Sequence, residues 1–295
     1  MTYSRIYIKN LLLIFGFSLL VTSCKHTPET LVIKNPEIAV INDSLFSKTL
    51  NKYVQYHYSL PQNYNESLSY PIIYLLHGHG GSSQDWFTTE GGNAAVTLSE
   101  MAKNTGIPPM IGVSMSAGNS WYVNSVEDWE SFYIKEFIPH FESIVTTSDY
   151  PTGRHIAGLS AGGFGALRFS LKFPSLFQNV ILLSPASYDP LPPLNSSSRK
   201  VAAFAVDGVF SDSLWSTFSY KHLQQDFLKS TQRPKFHISV GDDDVFNIVP
   251  VVTDLQQFFL KNDVTNELRI TNGGHDWECW NTNFKEALSV LFIPK

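Results

Sequence analysis

Residues 158–162 read Gly158-Leu159-Ser160-Ala161-Gly162, with Gly163 next. This G-x-S-x-G pattern places a serine on a turn so sharp that neighbouring side chains would strike the flanking backbone; glycines two before and two after remove the collision. The chemistry it offers is nucleophilic attack. A serine hydroxyl is a poor nucleophile at neutral pH and needs a base to take its proton. Histidine suits that task because its ordinary pKa lies near working pH. A buried carboxylate then fixes the imidazole tautomer and stabilises the imidazolium.

Candidates for both partners follow downstream. Gly241 leads into Asp242-Asp243-Asp244, and His275 sits in the loop Thr271-Asn272-Gly273-Gly274-His275-Asp276-Trp277. The order serine, acid, histidine is that of one recurring serine-hydrolase arrangement. An oxyanion formed at Ser160 needs preorganised donors. The backbone N–H of Ala161, the residue after the nucleophile, is one. The loop His77-Gly78-His79-Gly80-Gly81 offers the other, from the N–H of His79, with Gly80 as runner-up.

These residues must be set at the ends of strands. Arg154–Ala157 reads as a short strand before the serine. Phe164, Leu167, Leu171 and Phe173 recur at near-helical spacing after it, until Pro174. Pro71–Leu76 is an apolar run typical of a buried central strand. Phe236–Val240 and Leu268–Ile270 read as strands before the acid cluster and the histidine loop, and Val180–Leu183 as another. Gly112-Val113-Ser114-Met115-Ser116 has the first glycine of the nucleophile pattern but not the second. It reads as part of a strand over 110–115 that leads into a polar loop.

With the pieces in place, the chain resembles the esterase D-type branch of the α/β hydrolases. That branch includes S-formylglutathione hydrolases, tributyrin, feruloyl and acetylxylan esterases, and mycolyltransferases. The stretches that carry the resemblance are PIIYLLHGHGGSSQDW (71–86), RHIAGLSAGGFGALRFSLKFPSLFQNVILLSPA (154–186), SVGDDDVF (239–246) and GGHDWECW (273–280). Tyr53–Tyr64 is similar to the family's opening strand. The resemblance covers about residues 45–295. It implies an α/β fold with a mostly parallel central sheet and helices on both faces. It also places the acid three residues after Gly241, at Asp244, with Asp243 the rival and Asp242 turned to solvent. Alanine follows Ser160 where many members carry methionine; only the backbone N–H is needed there.

The function expected is serine carboxylic-ester hydrolysis through an acyl-enzyme, on acetyl or feruloyl esters of carbohydrate or on small acyl esters. Two other functions compete with it. Acyl transfer of the mycolyltransferase type differs only in whether water or another alcohol resolves the acyl-enzyme. A glycan-binding surface lipoprotein on a hydrolase scaffold would leave the triad without a purpose. His77 and His79 suggest a zinc pair, but no spacing singles out the third ligand a catalytic zinc needs, so neither metal nor cofactor is expected.

The N-terminus carries a separate signal. Arg5 and Lys9 precede an apolar run from Leu11 to Val21, followed by Thr22-Ser23-Cys24. The run is too short to span a bilayer. It describes a secretory signal over residues 1–23, and its ending resembles a bacterial lipoprotein signal with Cys24 as the lipidated residue. Residues 24–44 are polar and read as a tether to a catalytic domain over 45–295. The protein is thus expected in the cell envelope, held to a membrane by lipid. Loss of Arg5 and Lys9 leaves 19 basic against 26 acidic residues, a net of −7, which argues against nucleic acid as a partner.

Cys279 reads as a packed thiol. With Cys24 lipidated, no intrachain disulfide can form between the two cysteines of the chain. The stretch from Ala186 to Phe227 lacks a steady period and is read as an insertion over the active site. Trp86, Trp121, Trp129, Trp215, Trp277 and Trp280 all fall in or near loops expected to ring that site; their faces suit sugar rings or aromatic acyl groups, but plain core packing is the leading reading. The histidines at 26, 57, 140, 155, 222 and 237 stand outside any constellation.

Overall fold

The computed structural model describes residues 29–32, 38–147 and 153–293. The signal segment and Cys24 lie outside them. Seven strands open the chain: β1 (Glu29–Val32), β2 (Ala39–Ser47), β3 (Lys52–Ser59), β4 (Ile72–Leu76), β5 (Ile111–Met115), β6 (Arg154–Leu159) and β7 (Asn179–Leu183). A small hairpin, β8 (Ala205–Val206) and β9 (Val209–Phe210), lies in the insertion. The last strands are β10 (Lys235–Gly241) and β11 (Asn266–Thr271).

Nine strands form one sheet in the order β1-β2-β3-β5-β4-β6-β7-β10-β11. β1, β2 and β3 pair antiparallel, as do β3 and β5; every pairing from β5 to β11 is parallel. The crossovers are helical. They are α1 (Ala94–Thr105), α2 (Trp129–Phe132) running through a π-helical turn into α3 (Ile138–Ile144), and α4 (Ala161–Lys172). Then come α5 (Asp212–Thr217), α6 (Gln224–Lys229), α7 (Val249–Lys261) and α8 (Trp277–Phe292).

Parallel strands covered on both faces should be nearly continuous apolar runs, as β4 is throughout and β7 is from Val180 on. Along β4, Ile72, Tyr74 and Leu76 join one core, while Ile73 and Leu75 join the other. Val180 and Leu182 of β7 divide from Ile181 and Leu183 in the same way. The first core takes Phe141 of α3, Phe164 and Leu167 of α4 and Phe259 of α7. The second takes Leu98 of α1 with Phe284 and Leu288 of α8. Each such side chain, fully buried, contributes about 1.5–3 kcal/mol. This is the mostly parallel sheet with helices on both faces that the sequence implied. No helix among the described residues is long and apolar enough to cross a membrane.

The sheet reaches further toward the N-terminus than expected. β2 begins at Ala39 and pairs with β3 from Val40 opposite Ser59 to Ser47 opposite Lys52. Residues 29–32 and 39–44 are therefore sheet, not tether. Asn42, Asp43 and Ser44 obscured this: β2 lies outside the parallel core and stays half-exposed along most of its length, so polar residues are tolerated.

Candidate active site

Ser160 occupies the turn between β6 and α4, with φ 53° and ψ −117°. A non-glycine residue holds such a conformation only where its surroundings over-determine it. Here its N–H donates to Leu183 O at 2.9 Å, and its carbonyl accepts from Phe164 N and Ala186 N, both at 3.0 Å. The flanking glycines are required by close approach. A Cβ on Gly158 would lie 2.2 Å from Gly162 O, and one on Gly162 would lie 2.2 Å from Leu76 O. The side chain is thereby aimed off the carboxyl end of β6.

His275 lies in the loop between β11 and α8. Its Nε2 is 2.9 Å from Ser160 Oγ, and its Nδ1 is 2.8 Å from Asp244 Oδ2. A carboxylate can only accept, so Nδ1 carries the hydrogen and Nε2 is left to accept from the serine hydroxyl. The ring is wedged edge-on between Phe246 and Trp280, with centroids at 4.7 and 4.9 Å. Trp280 is itself fixed by its Nε1 donating to Ser184 Oγ at 3.1 Å. Asp276 caps α8 by accepting from Cys279 N at 3.0 Å, which sets where the helix starts and where the histidine loop ends.

The three aspartates after β10 are placed differently. Asp244 has a fully buried side chain, and its Oδ1 accepts from Phe246 N at 3.0 Å. Asp242 and Asp243 are exposed. Asp242 is nonetheless not simply turned to solvent, as expected: its Oδ1 accepts from Gly273 N at 3.1 Å and so braces the histidine loop. The Asp243 amide donates to Gly273 O at 3.0 Å, which ties the two loops a second time.

The loop after β4 runs alongside. Gly78 lies against the nucleophile; a Cβ built on it would be 3.6 Å from Ser160 Cβ. His77 is buried and bonded at both ring nitrogens. Ala117 N–H donates to Nε2 at 2.9 Å, so Nδ1 carries the hydrogen and donates to Gly78 O at 2.7 Å. Burial holds its pKa below the ordinary value, which keeps the ring neutral. Neither nitrogen is therefore open to a metal. Among the described residues there is no group of three or more histidine, cysteine, aspartate or glutamate side chains placed to hold an ion.

Ser160 and His275 open into a cavity of about 240 Å³, lined by His79, Trp121, Tyr188, Phe246 and Trp277 among others. Of the six tryptophans, Trp121, Trp277 and Trp280 reach it. Trp86 packs behind Trp277, and Trp215 behind Trp121, both as core residues. Trp129 lines a separate cleft beside Lys52. The insertion supplies Ala186, Tyr188, Ser196 and Ser197 to the wall. Cys279 is a free, buried thiol.

One contributor had no signal in the sequence. Asn119 lies in the polar loop after β5, and its Oδ1 accepts from Gly80 N at 2.8 Å. Nothing in the composition of Ser116–Tyr122 marks it as a partner of the loop after β4.

Comparison with known proteins is consistent with this geometry. A family model described as "Putative esterase" matches residues 47–291. An acetyl esterase of Caldicellulosiruptor saccharolyticus is 29% identical over 284 residues, covering 86% of this chain and 98% of that protein. An esterase of Mycobacterium tuberculosis (strain CDC 1551 / Oshkosh) is 35% identical over 129 residues, which cover 41% of this chain. The match spans 26%, about a quarter, of that mycobacterial relative's length. Among solved structures, a ferulic acid esterase superposes with a TM-score of 0.73 at 25% identity, covering 87% of this chain and 98% of that one.

Proposed function

The chain belongs to the esterase family, and on that premise we propose that it is a serine carboxylic-ester hydrolase working through an acyl-enzyme on Ser160. The observation that carries this reading is the hydrogen-bonded chain from Ser160 Oγ through His275 to Asp244, at 2.9 and 2.8 Å. Such a chain serves no purpose in a scaffold that only binds.

The steps follow from the geometry. Ser160 Oγ attacks the ester carbonyl while His275 Nε2 takes its proton. Asp244 holds the opposite nitrogen and stabilises the imidazolium. The N–H groups of Ala161 and His79 receive the oxyanion. The imidazolium returns its proton to the departing alcohol, leaving the acyl group on Ser160. Water then attacks the acyl carbon as His275 Nε2 takes its proton; the bond to Ser160 Oγ breaks, Oγ receives that proton back from His275, and the acid is released.

The substrate reading is an acetyl, feruloyl or other small acyl ester of a carbohydrate or simple alcohol. A cavity of about 240 Å³ sits below the usual range for drug-sized ligands, about 300–1,000 Å³, and suits a short acyl chain or one aromatic ring. Trp121, Trp277 and Tyr188 offer flat apolar surface to such a group. The relatives named above include an acetyl esterase and a ferulic acid esterase.

We also propose that the protein is a lipoprotein of the bacterial envelope, anchored through Cys24. The support is the charged start, the short apolar run and the Val21-Thr22-Ser23-Cys24 ending. Full-length protein made in a bacterium should partition into detergent, and Cys24→Ala should abolish lipid labelling. A mature soluble protein starting at another residue would overturn the anchor without touching the esterase reading.

The test of the activity is Ser160→Ala. It should leave the melting temperature close to wild type and reduce hydrolysis of p-nitrophenyl acetate by several orders of magnitude. It should also abolish labelling by a fluorophosphonate. Turnover above a tenth of wild type would remove Ser160 from its role. A panel of short acyl, acetylxylan and feruloyl esters then ranks the substrates.

A further inference from the structure

Two consecutive amides, of His79 and Gly80, are the candidates for the second oxyanion donor, and the Gly80 amide is already bonded within the protein. We propose that Asn119 is a positioning residue that makes this selection: it withdraws the Gly80 amide and fixes the loop with the His79 amide toward the nucleophile. The inference rests on the esterase reading above.

The Gly80 N–H donates to Asn119 Oδ1 at 2.8 Å, so it is spoken for before any substrate arrives. An oxyanion that needed this amide would first have to break that bond and leave a carbonyl oxygen unpaired. The His79 amide belongs to a different peptide unit, the one whose carbonyl is Gly78 O. That carbonyl is held twice, by His77 Nδ1–H at 2.7 Å and by Gly81 N–H at 3.2 Å. A trans peptide points its N–H away from its C=O. Fixing Gly78 O therefore fixes the direction of the His79 N–H.

The loop 77–83 is tied to the segment 116–122 at three of its residues, His77, Gly80 and Ser83, and Asn119 holds the middle one. At one end, Ala117 N–H donates to His77 Nε2 at 2.9 Å and Tyr122 OH donates to His77 O at 3.0 Å. At the other, Ser83 N–H donates to Ser116 Oγ at 3.0 Å. Between them, the Gly80 amide is met by Asn119. Gly80 sits at φ +74° and a Cβ built on it would meet nothing within 4 Å, so the Asn119 bond, not side-chain packing, holds its amide. The tie thus adds an anchor at Gly80 to those at Gly78 O and His77, and a loop held at each of these points is the preorganisation on which oxyanion stabilisation depends.

The test compares wild type with Asn119→Ala and Asn119→Asp. Wild type is scored first on p-nitrophenyl acetate and for binding of phenylboronic acid, which forms a tetrahedral anionic adduct on an active serine. If it does neither, the esterase reading itself falls, and this proposal with it. Given an active wild type, Asn119→Ala should lower kcat about tenfold to a hundredfold, below the loss on deleting a donor outright, with KM within about twofold. The inhibition constant for phenylboronic acid should rise by the same factor, and amide exchange at Gly80 should quicken while the melting temperature holds. Asn119→Asp keeps an acceptor oxygen and should keep the slow exchange of Gly80. A kcat within twofold of wild type in Asn119→Ala overturns the proposal. So does a loss of kcat without faster exchange at Gly80, or one that only follows a loss of folded protein.

Discussion

Asp244 and His275 are joined by a 2.8 Å bond that uses only one of the two carboxylate oxygens; the other accepts the Phe246 amide at 3.0 Å. The acid is therefore orientated from the protein side before it orientates the histidine. Asp244→Asn puts an NH₂ group at one of these positions, where it meets a hydrogen it cannot accept. It should lower kcat on p-nitrophenyl acetate by about 10⁴-fold, as wrong-tautomer variants do. Asp243→Asn, at an exposed side chain, should stay within about twofold. Equal losses in the two variants would count against Asp244 as the acid.

The neighbouring Asp242 gives a finer test. Its Oδ1 holds Gly273 N, two residues before His275. Asp242→Asn keeps that oxygen and should leave kcat within about twofold. Asp242→Ala removes it and should cost about fivefold, the worth of roughly 1 kcal/mol for one hydrogen bond. Steady-state kinetics on both variants decide it: if alanine is as active as asparagine, the brace has no part in placing the histidine.

Gly162 and Gly208 separate close packing from backbone conformation. A Cβ at Gly162 would stand 2.2 Å from the Leu76 carbonyl oxygen, so the strand and the helix would have to part. Gly162→Ala should lose several kcal/mol of stability or fail to fold. Gly208 has φ +77° but nothing within 4 Å, and Gly208→Ala should cost only about 1 kcal/mol. Denaturant melts of the two proteins provide the comparison.

Acid should destabilise the fold through two buried histidines. Burial lowers His155 from 6.5 to about 3 and His237 to about 4. A histidine with a depressed folded pKa is charged first in the unfolded chain, so stability is complete above about 6.5 and falls as pH drops below it. The His237 contribution is lost by about pH 4 and that of His155 by about pH 3. Neither ring nitrogen of His237 meets a protein partner. His237→Leu should therefore flatten the melting temperature between pH 6.5 and 4; an unchanged slope would clear His237 of the effect.

The sequence announces those parts of the site that obey a local rule. Ser160 is announced by glycines that the turn demands, β4 by an unbroken apolar run, β7 by Val180–Leu183 and β10 by its aromatic and β-branched content. The position of Asp244 came from a family pattern, because three aspartates in a row are identical to any local argument. What decides between them is that Asp244 alone is buried and bonded both to the Phe246 amide and to His275, 31 positions away. The bond from Asn119 to Gly80 spans 39 positions and joins two loops with no shared pattern, so it had no local signature. β2 is hidden for the opposite reason: its polar residues are locally typical of a tether, and only pairing with β3 makes them a strand. Loop position does not separate the tryptophans that reach the cavity from those in the core, because a loop residue can turn inward, as Trp86 and Trp215 do.

The 115 positions that separate Ser160 from His275 also have a meaning in time. Closing a loop of that length brings no reward until the intervening strands β7, β10 and β11 have docked in order, since each stands between the serine and the histidine loop. The nucleophile turn can form early, from neighbours along the chain. Its base reaches it only when the last strand and α8 are home. Catalysis is thus a late reporter of folding: a nascent or clipped chain can hold most of its secondary structure and still be inert toward esters.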